Sequence, residues 1–85
     1  MPKSLRSPQQ QQLQNLLIEL RKAKGLTQTD VATRLRRPQS FVAKYEGGER
    51  RLDVVEFIEV AQALDADACL VLGELIQRSP PVTTE

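Results

Sequence analysis

Apolar residues recur at helical spacing in five short runs, each bounded by turn or capping signals. Leu13, Leu16, Leu17 and Leu20 form the first stripe. Ser7 stands ahead of it as an N-cap, and Pro8 suits a first helical turn. Gln9 to Gln12 are low in complexity but form helix readily. Lys24-Gly25 is a common helix ending. Thr27-Gln28-Thr29-Asp30 predicts a capping box, with Thr27 as N-cap and Asp30 three residues on. Val31, Ala32 and Leu35 are then the inner face of a short helix, and Arg36-Arg37-Pro38 breaks it. The stretch RPQSFVAKYEGGER predicts a third helix from about Gln39 to Glu46, ended by Gly47-Gly48. Phe41, Val42 and Tyr45 fall on one side of it, while Gln39, Ser40, Ala43 and Lys44 fall on the other.

The fourth run has a complete start signal. Asp53 fits an N-cap, Glu56 fits the third position of a capping box, and Leu52 and Phe57 fit a hydrophobic staple. Its buried stripe is expected to be Val54, Phe57, Ile58, Ala61 and Leu64, with Asp65 at the end. Asp67 can cap a fifth helix running to about Gln77, where Ser79-Pro80-Pro81 stops it. Ala68, Cys69, Leu72, Leu75 and Ile76 read as one stripe of that helix, with Leu70 and Val71 outside it. No strand alternation and no internal repeat occur, so the fold class is all-α: five short helices in one domain over residues 7–78. Residues 1–6 and 79–85 are expected to be disordered tails.

Composition narrows the chemistry. An 85-residue chain supports one modest core. With Phe41, Tyr45 and Phe57 as the only aromatic residues, that core is mostly Leu, Val, Ile and Ala. The single Cys69 cannot form an internal disulfide and suggests a small core or interface residue in a reducing compartment. No apolar run approaches the ~20 residues of a membrane span, and no signal-peptide core is present, so a cytoplasmic setting is expected. With no His, no Ser or Cys beside a plausible base and no metal-ligand cluster, neither an enzyme, a cofactor nor a metal is expected.

The net charge of +1 hides a strong polarity. Residues 21–51 hold nine bases against three acids, whereas residues 52–85 hold one base against seven acids. The basic middle calls for an anionic partner, and the acidic end should face elsewhere. The same middle carries the amide, hydroxyl and ammonium displayed on the third helix.

These residues resemble a known family. LRKAKGLTQTDVATRL, SFVAKYEGGER and LDVVEFIEVAQAL, together spanning Leu20 to Leu64, are similar to the helix-turn-helix domain of the Xre/Cro repressors. The resemblance implies a compact, lambda-repressor-like five-helix bundle with the helix-turn-helix motif at about residues 27–47. It also implies a sequence-specific transcriptional regulator, bacterial or phage-encoded, that binds double-stranded DNA. The helix at 39–46 would lie in the major groove. Gln39, Ser40, Ala43 and Lys44 would then read bases. Thr27, Gln28, Thr29, Arg36, Arg37, Arg50 and Arg51 would meet phosphate. Arg21 and Glu46 would form a partly buried structural salt bridge. Two positions depart from the family pattern: Arg36 and Asp65 stand where glycine is frequent. The surplus apolar surface of the fifth helix suggests a homodimer through Leu70, Val71 and Leu75. A second use of the same fold is a protein-interaction subunit, such as an antitoxin that covers a toxin.

Overall fold

A computed structural model describes residues 7–78. The two expected tails lie outside the described residues. Five helices follow in order: α1 Pro8–Ala23, α2 Gln28–Leu35, α3 Gln39–Gly47, α4 Val54–Ala63 and α5 Ala68–Arg78. No strand occurs among the described residues.

The starts are held by the expected caps, each satisfying backbone N–H groups that a helix leaves unpaired. Ser7 Oγ accepts from the Gln10 N–H at 3.1 Å. Thr27 and Asp30 form a reciprocal box, with bonds of 3.0 and 2.9 Å. Donation from the Thr27 backbone holds the Asp30 carboxyl below its usual range. Asp53 and Glu56 repeat the arrangement at α4, with bonds of 2.7 and 3.0 Å. Asp67 Oδ1 accepts from the backbone of Cys69 and Leu70.

Two helix ends use left-handed residues that are not glycine. Arg36 closes α2 at φ 59° and ψ 41°, and Asp65 follows α4 at φ 55°. A left-handed backbone costs a non-glycine residue about 1–2 kcal/mol. At Asp65 a neighbour helps: Arg34 Nη1 donates to the Ala63 carbonyl at 2.7 Å and reaches Asp65 Oδ2 at 3.3 Å. This tie between α2 and the end of α4 has no signature in the sequence pattern.

The core lies where α1, α2, α3, α4 and α5 converge. Leu17, Val31, Val42, Val60 and Leu64 are its fully buried centre. Ala32 is also buried, which lets α2 cross close to α3. Phe41 and Tyr45 pack edge to face with ring centroids 5.5 Å apart. Both face inward with Val42, as their spacing predicts.

Helices α4 and α5 correct the expected stripes. Val54 is 74% exposed and Ile58 40% exposed, so neither belongs to the core. Phe57, Val60, Ala61 and Leu64 form the buried face of α4 instead. On α5 the buried residues are Val71 and Leu75, with Ala68 packed beside them. Leu72, Ile76 and Cys69 turn outward. The interface expected at Leu70, Val71 and Leu75 therefore loses two members to the protomer's own core. Leu70 alone stays open, at 72% exposure. The cause is composition: apolar residues surround much of both helices, so periodicity admits more than one buried face.

Candidate nucleic-acid interface

Helix α3 begins directly after Pro38, which has no amide hydrogen to lose and an extended backbone. Gln39 and Ser40 are exposed in its first turn, Lys44 is exposed one turn later, and Ala43 is half-buried between them. Gly48, buried and left-handed at φ 85°, caps the other end. The four expected base readers thus share the outer side of one short, firmly anchored helix.

A chain of polar contacts ties this surface to the interior. Arg21 Nε donates to Glu46 Oε2 at 2.8 Å, and Arg21 Nη2 donates to Glu46 Oε1 at 3.1 Å. The remaining guanidinium nitrogen, Nη1, donates to the Leu26 carbonyl at 2.9 Å. Only 5% of the Glu46 side chain and 13% of the Arg21 side chain are exposed. The bond to Glu46 raises the Arg21 pKa further above its already high value. Gln28 Nε2 donates to Glu46 Oε1 at 2.9 Å. Gln39 Nε2 in turn donates to Gln28 Oε1 at 2.7 Å. The expected salt bridge is therefore the root of a path that ends on an expected base reader.

Gln14 joins the same region. It is buried on α1 and donates to the Glu46 carbonyl at 3.4 Å. Its place just after the Gln9 to Gln12 run made it indistinguishable from surface by composition.

The expected phosphate residues fall into two groups. Thr27, Gln28 and Thr29 stand at the start of α2, where backbone N–H groups and a helix dipole favour an anion. Thr27 Oγ1 accepts from the Asp30 amide, which leaves its O–H available as a donor. Arg36, Arg37, Arg50 and Arg51 flank α3. Arg36 and Arg37 line an open cleft against α4 with Glu59 and Gln62. Arg37 pairs with Glu59 at 3.4 Å, and Arg50 pairs with Glu56. Both guanidiniums also lie against the Phe41 ring, 4.5 and 5.0 Å from its centroid. Neither of these acidic partners was part of the sequence-level site.

Among the described residues no His, Cys, Asp and Glu cluster could hold a metal ion, and no helix is long and apolar enough to cross a membrane.

A family model described as a helix-turn-helix domain matches residues 12–72. Among solved structures, an XRE-family-like protein from Pseudomonas syringae pv. tomato is 46% identical. The match covers 85% of this chain and 88% of that one, with a TM-score of 0.80. The restriction-modification controller protein C.AhdI from Aeromonas hydrophila is 32% identical over 73% of this chain and 94% of its own, with a TM-score of 0.68. A third structure is the tetramer of the controller protein C.Esp1396I in complex with its natural 35-base-pair operator. At 19% identity it shares the fold, with a TM-score of 0.78 over 85% of this chain and 95% of that one. No curated protein matches the sequence.

Proposed function

The chain belongs to the Xre-like helix-turn-helix family, and from that premise we propose that it is a repressor that binds an inverted-repeat operator as a homodimer. The observation that carries this reading is the outer side of α3, which offers an amide, a hydroxyl and an ammonium within about two turns of a rigidly held helix. A B-DNA major groove admits a helix of this kind and presents a distinct donor and acceptor pattern for each base pair. Gln39, Ser40, Ala43 and Lys44 read that pattern. Thr27, Gln28, Thr29, Arg36, Arg37, Arg50 and Arg51 meet the phosphates on either side. Arg37 and Arg50 reach them by exchanging carboxylate partners, and the exposed Arg37–Glu59 pair is worth no more than about 1 kcal/mol. DNA binding by the C.Esp1396I controller, seen with its operator, supports this use of the fold.

The dimer face follows from the apolar residues that the core leaves out. Val54, Val55 and Ile58 on α4 and Leu72 and Ile76 on α5 are all exposed, and these two helices pack against each other. Leu70 stands over a different groove, against α1, whose rim carries the Arg78 pairs with Glu19 and Glu74. The two carboxylates raise the Arg78 pKa, Glu19 contributing most. That rim keeps the Leu70 groove polar at its edge, so the α4–α5 face is the better seat for a second copy. Two-fold pairing there would present two α3 helices to half-sites about one turn, ~34 Å, apart.

Selection from a random duplex library at about 0.15 M salt tests this reading. Enrichment of an inverted repeat supports it. Salt-sensitive binding with no enriched sequence would overturn it in favour of a protein-partner role such as an antitoxin.

A further inference from the structure

We propose that Glu59 is an autoinhibitory contact for DNA: its carboxylate stands in for a phosphate and holds Arg37 until a duplex displaces it. The inference rests on the DNA-binding role of α3 and adds the residue that restrains it.

Arg37 precedes α3 and Arg50 follows it. Their guanidiniums lie 4.5 and 5.0 Å from the centroid of one ring, that of Phe41. Each also reaches a carboxylate on α4: Arg37 Nη2 donates to Glu59 Oε1 at 3.4 Å, and Arg50 pairs with Glu56. Glu56 and Glu59 stand three positions apart in sequence, on one side of α4. The five side chains therefore close a ring. It runs from α4 through one arginine, across Phe41, and back to α4 through the other.

The two carboxylates differ in what else they do. Only 13% of the Glu56 side chain is exposed, and its Oε1 accepts from the Asp53 amide at 3.0 Å in the capping box of α4. Releasing it would disturb the start of that helix. Glu59 lies further along α4, outside the capping box, with 47% of its side chain exposed. It is also too far from the start of α4 to gain from the helix dipole, which acts within the first turn. Its charge instead faces a cleft that it lines with Arg34, Arg36 and Arg37. Carboxylate and phosphate oxygens compete for the same guanidinium donors. A phosphate that approaches Arg37 meets the Glu59 charge as well, and must displace it or lie beside it. Either way, binding to DNA is weaker than the arginine alone would make it.

Glu59→Gln keeps the size of the side chain and removes its charge. Arg37→Met removes the guanidinium and leaves an apolar stem to cover Phe41. The full chain should be measured with each change and with both. The two probes are the duplex enriched from the random library and a duplex of mixed sequence, at about 0.15 M salt. Arg37→Met alone should weaken binding. Glu59→Gln alone should tighten it by roughly 2–5-fold per protomer, the range expected of an exposed pair. In the Arg37→Met background the same change should give no gain. An equal gain in both backgrounds would mean general repulsion of DNA by an acidic residue and would overturn the proposal. So would unchanged or weaker binding by Glu59→Gln. The mixed-sequence duplex separates this inference from sequence reading. If no operator is enriched, the repressor reading fails, while a gain on mixed DNA that depends on Arg37 still supports the contact. If the unsubstituted protein binds neither duplex, both are overturned.

Discussion

The α2–α3 pair and the α4–α5 pair have similar lengths but spend their side chains differently. In α2–α3 the polar residues are joined to one another and to the interior, from Arg21 through Glu46 and Gln28 to Gln39. In α4–α5 the polar residues act mainly as caps and exposed pairs, and the apolar residues exceed what one core can use. The first pair is constrained by directional bonds and the second by area alone. Directional bonds suit a surface that must present fixed donors and acceptors. Surplus apolar area suits a surface that is to be covered by another chain.

The largest test of the contrast removes the root of the polar path. Glu46→Ala leaves the Arg21 guanidinium enclosed without its carboxylate, although the Leu26 carbonyl remains. Breaking a buried pair in this way is expected to cost about 3–5 kcal/mol. Urea denaturation measures it. A loss no larger than that of an exposed-pair variant such as Glu74→Ala would show that the interior of α1–α3 does not depend on the pair.

The matching test on the other side places a charge on the apolar face. Ile58→Asp should change protomer stability by less than about 0.5 kcal/mol, because Ile58 lies outside the core. It should nevertheless give monomers by sedimentation and reduce operator affinity roughly 10²-fold through lost bivalency. A variant that stays dimeric would move the interface off the α4–α5 face.

Much of the first region was legible in sequence because its signals are local. A capping box needs only Thr27 and Asp30 three residues apart, and the inward set Phe41, Val42 and Tyr45 needs only the helical period. The Arg21–Glu46 pair spans 25 residues and was reached through family resemblance rather than spacing. The two amide bonds beyond it were not foreseen, since no local rule says which way an exposed glutamine turns. The second region was readable in its ends but not in its faces. Asp53 and Asp67 cap as expected, while Val54 and Ile58 were assigned to the core in place of Val60. A helix with apolar residues at 54, 55, 57, 58, 60, 61, 63 and 64 offers several plausible stripes. Which one is buried is decided by the neighbours, among them the Arg34 bond that holds Ala63 against α2.

A smaller effect separates strain from function at the turn. Arg36→Gly relieves the left-handed backbone at φ 59° and should stabilise the fold by about 1 kcal/mol. If Arg36 meets phosphate, the same change should flatten the salt slope of binding by about one. Thermal melts and binding at several salt concentrations read the two quantities apart. A stabilised variant with an unchanged slope would leave Arg36 as a turn residue only.

The smallest expected effect concerns pH. Burial, and secondarily the charge of Glu46, pushes the Tyr45 phenol well above its usual value. Below about pH 10 the folded and unfolded chains both keep the phenolic proton, so Tyr45 adds no pH dependence there. Above that point the unfolded chain releases the proton first and binds fewer protons than the folded one. Stability then falls as pH rises. Tyr45→Phe removes this contribution while keeping the ring that packs on Phe41. Its urea midpoint should decline less steeply than that of the unsubstituted protein between about pH 9 and about pH 11. Parallel declines would mean that the phenol is more accessible than its 2% residue exposure implies, and that the wall between Glu46 and solvent is looser than the polar path requires.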